Sequence, residues 1–346
     1  GNGSGSTTPP KSDGGSETTT PPKSDGGGGG SSTTTGELKA KCEGGETQPC
    51  SSYLNPVGTE IQLGPYGSVM EANVGKGFEN ANLAGDTDDT LGICPGFVAL
   101  FGADEQQSEK LLDTKNLDFT LYTLYRPANM VDGEKYPIIT WGNGTCAQPE
   151  GYGTLLHYIA SHGFFVIAAN NRFVGGAVEM LHALDFLFAE NERSDSPYYQ
   201  RLDTDNVASA GHSQGGLGAD NAAADARVKT ELNFNGINGG LTSKPALAVS
   251  GVQDISDPGE QAFLSSTLGY GGAKAAIYFH TVPPNSGDFA PGHLTLMQEP
   301  EKVTEFSVAW FKYQLQGDPD GKAYFIGDSC KACKDPNYSF MQSGLM

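Results

Sequence analysis

The stretch Val207-Ala208-Ser209-Ala210-Gly211-His212-Ser213-Gln214-Gly215-Gly216 decides the fold. Residues 207–210 read as a buried strand, and the small residues that follow Gly216 read as a helix. Between them, glycines two positions either side of Ser213 mark a strand-to-helix turn too sharp for flanking side chains. Such a turn presents a serine hydroxyl at its tip, over the start of the next helix. The backbone N–H of Gln214 is then placed to face a developing oxyanion. With 48 glycines in the chain, a G-x-S-x-G match arises easily by chance, so the surrounding pattern has to carry the reading.

That pattern is regular on both sides. Upstream, residues 137–141 and 164–169 are short apolar runs of the kind buried in a parallel sheet, joined by the amphipathic stretch 152–162. Residues 177–190 place Met180, Leu181, Leu184, Leu187 and Phe188 at helical spacing. Downstream, residues 231–237, 245–252 and 275–282 supply three more strands, and 301–315 a final helix. Alternation of this kind predicts an α/β-hydrolase fold: a mostly parallel, doubly wound sheet flanked by helices, with reactive residues at the carboxyl ends of strands. Before this core, residues 117–125 alternate as a half-buried antiparallel strand would, and a further strand is expected near 77–83. The acidic run at 86–89 lacks the glycine and terminal glutamate of an EF-hand and reads as a solvated turn.

A serine of this type needs a base, and the base needs an acid to fix its tautomer; in this fold they follow the serine in the order acid, then histidine. Asp254, just past the 245–252 strand, and His293, in the loop after the next strand, are placed as the chemistry requires. Asp257 is a rival acid on the same loop. His280 falls inside a predicted strand and reads as a core or structural histidine. His157, His162 and His182 lie on predicted helices and carry no signal of their own. The first oxyanion donor is the N–H of Gln214, and the second is expected from Gly144 or Thr145, in the glycine-rich loop after Trp141. Residues 214–253 accommodate a helix and two strands and leave no room for a cap domain. An uncapped serine lies in an open groove, which suits bulky or extended esters.

Composition bounds the rest. Residues 1–36 are nearly all Gly, Ser, Thr, Pro, Lys and Asp, and the ten residues from Thr7 are almost repeated from Thr19, so they read as a disordered tether ahead of one catalytic domain, 37–346. A net charge of −20 argues against nucleic acid or an anionic membrane as partner. No apolar run reaches the 18 or so residues of a membrane span. Six cysteines form an even set: proximity suggests Cys42 with Cys50 and Cys330 with Cys333, and elimination leaves Cys94 with Cys146. Cys330 and Cys333 have half the spacing of a zinc ribbon, but no second pair completes four ligands, so neither metal nor cofactor is expected. The cysteines and tether together suggest a monomeric exported protein, its export signal removed. A lipid anchor would need a cysteine outside this sequence.

Over roughly residues 136–338 the chain resembles the cutinase-like polyester hydrolases of bacteria, which include enzymes active on poly(ethylene terephthalate), within the dienelactone-hydrolase-like superfamily. The likeness is carried in order by Ala160-Ser-His-Gly-Phe-Phe-Val-Ile-Ala168, Leu184-Asp-Phe-Leu187, Leu202-Asp-Thr-Asp-Asn-Val207, Ser307-Val-Ala-Trp-Phe-Lys312 and the cysteine-bearing tail 328–336. The resemblance implies a secreted, cofactor-free serine carboxylic ester hydrolase with Ser213, Asp254 and His293 as its triad. The chain departs from the pattern where polyester-degrading members clamp an aromatic ring. Gly144 and the glycine-rich stretch 235–240 stand where those enzymes carry an aromatic residue and a tryptophan. Trp141 and Tyr152 are the candidates to replace them, and His212, beside the serine, is a third candidate contact, although an elbow would turn it into packing. Two other readings remain: an amidase or peptidase on the same triad, and an inactive tethered surface-binding protein.

Overall fold

Parallel-sheet strands buried on both faces have apolar residues at every position, and alternate side chains serve opposite cores. The strand Tyr136–Gly142 is buried throughout. Its Ile139 and Trp141 join one apolar cluster while Tyr136 and Ile138 join another. The computed structural model describes residues 41–43, 52–54, 60–76, 93–100, 117–236, 243–269, 272–284 and 286–346. All of these fall within one unit, Thr33–Met346. The tether expected over 1–36, the strand near 77–83, the acidic run 86–89 and the pairing of Cys42 with Cys50 lie outside the described residues.

Three short strands, β1 (Lys41–Glu43), β2 (Ser52–Leu54) and β3 (Glu60–Gln62), make a small sheet. The main sheet is built from β4 (Ser68–Val74), β5 (Tyr122–Pro127), β6 (Tyr136–Gly142), β7 (Phe165–Ala169), β8 (Leu202–His212), β9 (Val228–Phe234), β10 (Ala246–Gly251), β11 (Ala273–Phe279) and β12 (Tyr338–Gln342). Their order is β12-β11-β10-β9-β8-β6-β7-β5-β4. Pairing is parallel from β11 through β7, while β12 on one edge and β5 and β4 on the other run antiparallel to their neighbours. This is the mostly parallel, helix-flanked sheet of the α/β-hydrolase fold.

The helices, in chain order, are α1 (Cys94–Leu100), α2 (Gly153–Ser161), α3 (Val178–Glu192), α4 (Gln214–Ala222), α5 (Glu260–Thr267), α6 (Thr295–Gln298), α7 (Thr304–Gln316) and α8 (Pro319–Phe325). On one face of the sheet α2 and α7 contribute Leu155, Ile159, Phe306 and Trp310 to the larger cluster. On the other, α3 and α4 contribute Met180, Leu184, Ala219 and Ala222. Among the described residues no helix is long and apolar enough to cross a membrane.

Three expectations shift. The strand expected at 117–125 begins only at Tyr122, because Asp118 and Thr120 close a turn in which the Asp118 carboxylate accepts from the Thr120 N–H. That strand is also buried on both faces, with Tyr122 and Leu124 packed into one apolar cluster and Tyr125 into the other. His280 lies beyond the end of β11, not inside it; it is exposed, and its ring bonds the Ser339 hydroxyl at 2.8 Å.

Two disulfides are present among the described residues: Cys94–Cys146, as elimination left it, and Cys330–Cys333, as proximity suggested. The second uses the two sulfurs that a zinc ribbon would need. The first spans 52 residues and fastens α1 to the loop after β6. By chain entropy a loop of that length is worth about 4 kcal/mol.

Candidate active site

Ser213 sits between β8 and α4 with φ 55° and ψ −120°, a conformation that only a tightly packed turn imposes on a residue with a side chain. The packing is visible in the glycines. A Cβ on Gly211 would lie 2.0 Å from the Gly215 carbonyl oxygen, and one on Gly215 would lie 2.0 Å from that of Gly142. The turn is therefore pressed against the end of β6 by backbone alone. The Ser213 N–H donates to the Phe234 carbonyl at 2.9 Å, which ties the turn to the end of β9.

Beyond the ends of β10 and β11, Asp254 and His293 are brought together. His293 Nδ1 lies 2.6 Å from Asp254 Oδ1, and both side chains are almost wholly buried. Because the carboxylate only accepts, Nδ1 carries the hydrogen and Nε2 is left as the basic nitrogen. The approach of the two loops depends on Gly292. Its N–H donates to the Gln253 carbonyl at 3.2 Å, and a Cβ there would lie 2.0 Å from the Val252 oxygen.

Asp254 gathers further donors. Ser250 Oγ donates to Oδ2 at 2.8 Å, the Asn235 amide donates to Oδ2 at 3.2 Å, and the Ile255 N–H donates to Oδ1 at 2.7 Å. Burial alone would raise this carboxyl, but the His293 hydrogen bond and charge, with Ser250 and Asn235, hold it below the ordinary aspartate range. Asp257 is occupied elsewhere: it accepts from the Tyr278 hydroxyl at 2.8 Å and from the Gly259 N–H at 2.7 Å, shaping its own loop.

A buried chain of hydrogen bonds runs behind the site. His212 Nε2 lies 2.8 Å from the His293 carbonyl oxygen, which can only accept, so Nε2 carries the hydrogen and Nδ1 accepts. Tyr152 Oη, 2.9 Å from Nδ1, is then the donor, and it accepts in turn from the Gly144 N–H at 2.9 Å. Burial and the neighbouring His293 hold the His212 imidazole down at about 3, so the ring stays neutral and props the main chain of His293. The two imidazole rings lie 4.7 Å apart.

This chain corrects four expectations. The Gly144 N–H, expected as an oxyanion donor, is already held by Tyr152. Tyr152 and Trp141, at 1% and 0% exposed, are packed against each other in the core at 5.0 Å between rings and cannot face a substrate. His212, at 3% exposed, belongs to the same packing. Two backbone donors beside Ser213 remain without a partner among the described residues: the N–H groups of Gln214 and Thr145.

Comparison with known families bears on what this geometry is for. The family model described as PET hydrolase-like (PETase) matches residues 114–282. Over those residues the chain is similar to the PET hydrolase-like family. None of the curated proteins compared with it matches. That likeness implies ester hydrolase activity in general, and an ester is the substrate class that fits. The matched segment contains Ser213 and Asp254, and His293 lies beyond its end.

The candidate site also holds residues that sequence reading passed over. Asn235 and Ser250, both on the strand-end side of Asp254, were readable only as glycine-rich stretch and strand. The Gln214 side chain was overshadowed by its own N–H. The Asn-Gly pair at 235–236, read as an absent aromatic clamp, in fact supplies a donor to the acid. No periodicity or spacing signals a side chain whose role is to bond another loop.

Proposed function

We propose that the protein is an extracellular serine carboxylic ester hydrolase of the polyesterase type. Ser213 Oγ attacks the ester carbonyl and passes its proton to His293 Nε2, while Asp254 holds the imidazole in the tautomer that can receive it. The carbonyl π pair moves onto oxygen, where the N–H groups of Gln214 and Thr145 receive it, each such donor being worth roughly 3 kcal/mol. Collapse expels the alcohol with the proton from His293. Water then repeats the sequence on the acyl-enzyme and releases the acid.

The observation that carries this reading is the buried Asp254–His293 pair at 2.6 Å, which follows the carboxyl ends of β10 and β11 as the strained Ser213 turn follows that of the parallel strand β8. Among the described residues, 214–253 hold α4, β9 and β10 and no cap, which supports an open site and extended substrates such as polyesters. Two disulfides support an oxidising, extracellular setting. The test is Ser213→Ala assayed on a short p-nitrophenyl ester. Turnover should fall by about 10⁴ or more with circular dichroism unchanged; activity near that of the unmodified protein would end the proposal.

A further inference from the structure

The loop after β6 and the turn after β8 are almost entirely closed to solvent. Within residues 136–149 only Thr145 is not fully buried, and within 207–216 only Ser213 and Gln214 are not. Three side chains are therefore partly exposed there, and two of them touch. Gln214 Nε2 donates to Thr145 Oγ1 at 3.1 Å. The orientation of that amide is fixed from its other end, because Gln214 Oε1 accepts from the Gly175 N–H at 3.1 Å and an oxygen is the only atom that can do so. The Gly175 carbonyl is in turn held by the Asn221 amide at 2.7 Å. Thr145 Oγ1 is thus an acceptor from Gln214 with its own hydrogen still to place. Among the described residues no acceptor takes that hydrogen.

We infer that the Thr145 hydroxyl is a third oxyanion donor, aimed by the Gln214 side chain into the space already served by the two backbone N–H groups. This rests on the ester-hydrolase reading above and deepens it. The hydroxyl transfers no proton: as Ser213 Oγ bonds to the carbonyl carbon and the π pair moves onto oxygen, Thr145 O–H makes a hydrogen bond that is strong only once that oxygen is charged. A hydroxyl that already accepts a bond is a better donor, so the Gln214 amide acts through Thr145 as a positioning group. The arrangement also accounts for the captive Gly144 N–H. With that group bonded to Tyr152, a hydroxyl supplies the donor that the backbone withholds. Cys146, the next residue, is anchored by its disulfide to Cys94 and by its N–H to the Arg172 carbonyl at 3.3 Å, which leaves Thr145 little freedom to turn away.

The experiment compares Thr145→Val, Thr145→Ser and Gln214→Leu with the unmodified protein on a soluble p-nitrophenyl ester, alongside fluorophosphonate labelling at Ser213. Thr145→Val keeps shape and backbone N–H and loses only the hydroxyl. It should lower kcat by roughly 10² with KM within about threefold, the signature of a bond made only in the transition state. Thr145→Ser should retain kcat within about fivefold, and Gln214→Leu should fall between the two. If the unmodified protein labels at Ser213 and Thr145→Val turns over within twofold of it, the inference is wrong while the ester-hydrolase reading stands. If Thr145→Ser falls as far as Thr145→Val, the hydroxyl is not the donor. If the unmodified protein neither labels nor hydrolyses, the underlying reading itself has failed. Melting temperatures of all three variants separate misfolding from lost donation, since Thr145→Ser keeps the proposal testable should Thr145→Val not fold.

Discussion

Two buried carboxyl groups, one within a strand of the main sheet and one just past the end of the neighbouring strand, are held in opposite states. Asp254, beyond β10, is kept charged by donors on every side: His293, Ser250, Asn235 and the Ile255 N–H. Glu231, in the middle of β9, is wholly buried, and burial together with the negative field of Asp220 on α4 pushes its carboxyl up to about 8, against the single opposing bond from the Asn233 amide at 2.9 Å. Depth does not decide the charge of a buried acid; the count and sign of its partners do. The carboxylate beside His293 is the one the proposed reaction needs ionised, since only an anion both fixes the Nδ1 hydrogen and steadies the imidazolium. Glu231 lies under the elbow helix, where a neutral acid is simply a polar group with bonds to make.

The widest gap between the two should appear in Asp254→Asn and Glu231→Gln, both of which replace a carboxyl by an amide of the same shape. Asp254→Asn should lower kcat by about 10⁴, because an amide can present its N–H to Nδ1 and leave the hydrogen on the wrong nitrogen. Glu231→Gln should leave kcat within about threefold. Equal losses in the two variants, measured on one ester at one pH, would erase the distinction drawn here.

Stability should then reverse the ranking. A carboxyl whose folded pKa is raised favours the folded state below its unfolded pKa, and that advantage is lost as pH rises through the folded value. For Glu231 the window runs from the ordinary glutamate range up to about 8. Glu231→Gln, neutral throughout, should therefore become more stable than the unmodified protein as pH rises across that window, by a few kcal/mol at its top, at about 1.4 kcal/mol per pH unit. Urea midpoints at pH 5 and pH 9 measure it; a difference that does not grow with pH would show that Glu231 is ionised in the fold. His212, held at about 3 behind the site, and His157, buried against Tyr125 and held by desolvation at about 3, act on the opposite side. Their lowered values mean stability present above the ordinary histidine range and lost as pH falls below it.

This contrast also marks what the chain discloses before it folds. The parallel core was legible because β6, β7 and β10 are short apolar runs bounded by turns, and the serine turn because two glycines are forced by backbone contact. Asp254 and His293 could be placed from chain order alone. The edge strand β12 could not, since Tyr338-Ser-Phe-Met-Gln342 alternates too briefly to differ from a tail, and the helices α5 and α8 are too short for a clear period. Gly144 and Thr145 were interchangeable in sequence, and only the fold decides between them, because the hydroxyl of Tyr152 returns from eight residues away to occupy one N–H. Nor does any local pattern separate Asp254 from Glu231: the difference lies in Ser250, Asn235 and Asp220, brought in from other elements.

The smallest change should sharpen the comparison most, because it subtracts one donor from Asp254 without touching the imidazole. Ser250→Ala removes the 2.8 Å bond to Oδ2 and leaves the His293 bond to Oδ1 intact. Losing one hydrogen bond to a buried charge should cost about 1.5–3 kcal/mol of stability at neutral pH and reduce kcat by less than tenfold. Since the bond stabilises the ionised form, the folded pKa of Asp254 should move back up, and the stability gap between variant and unmodified protein should narrow as pH falls through the carboxylate range. A gap that stays constant from pH 7 to pH 3 would mean that Ser250 supports the loop and not the charge, and that the lowered pKa of Asp254 rests on its other partners, His293, Asn235, the Ile255 N–H and the Ser256 hydroxyl.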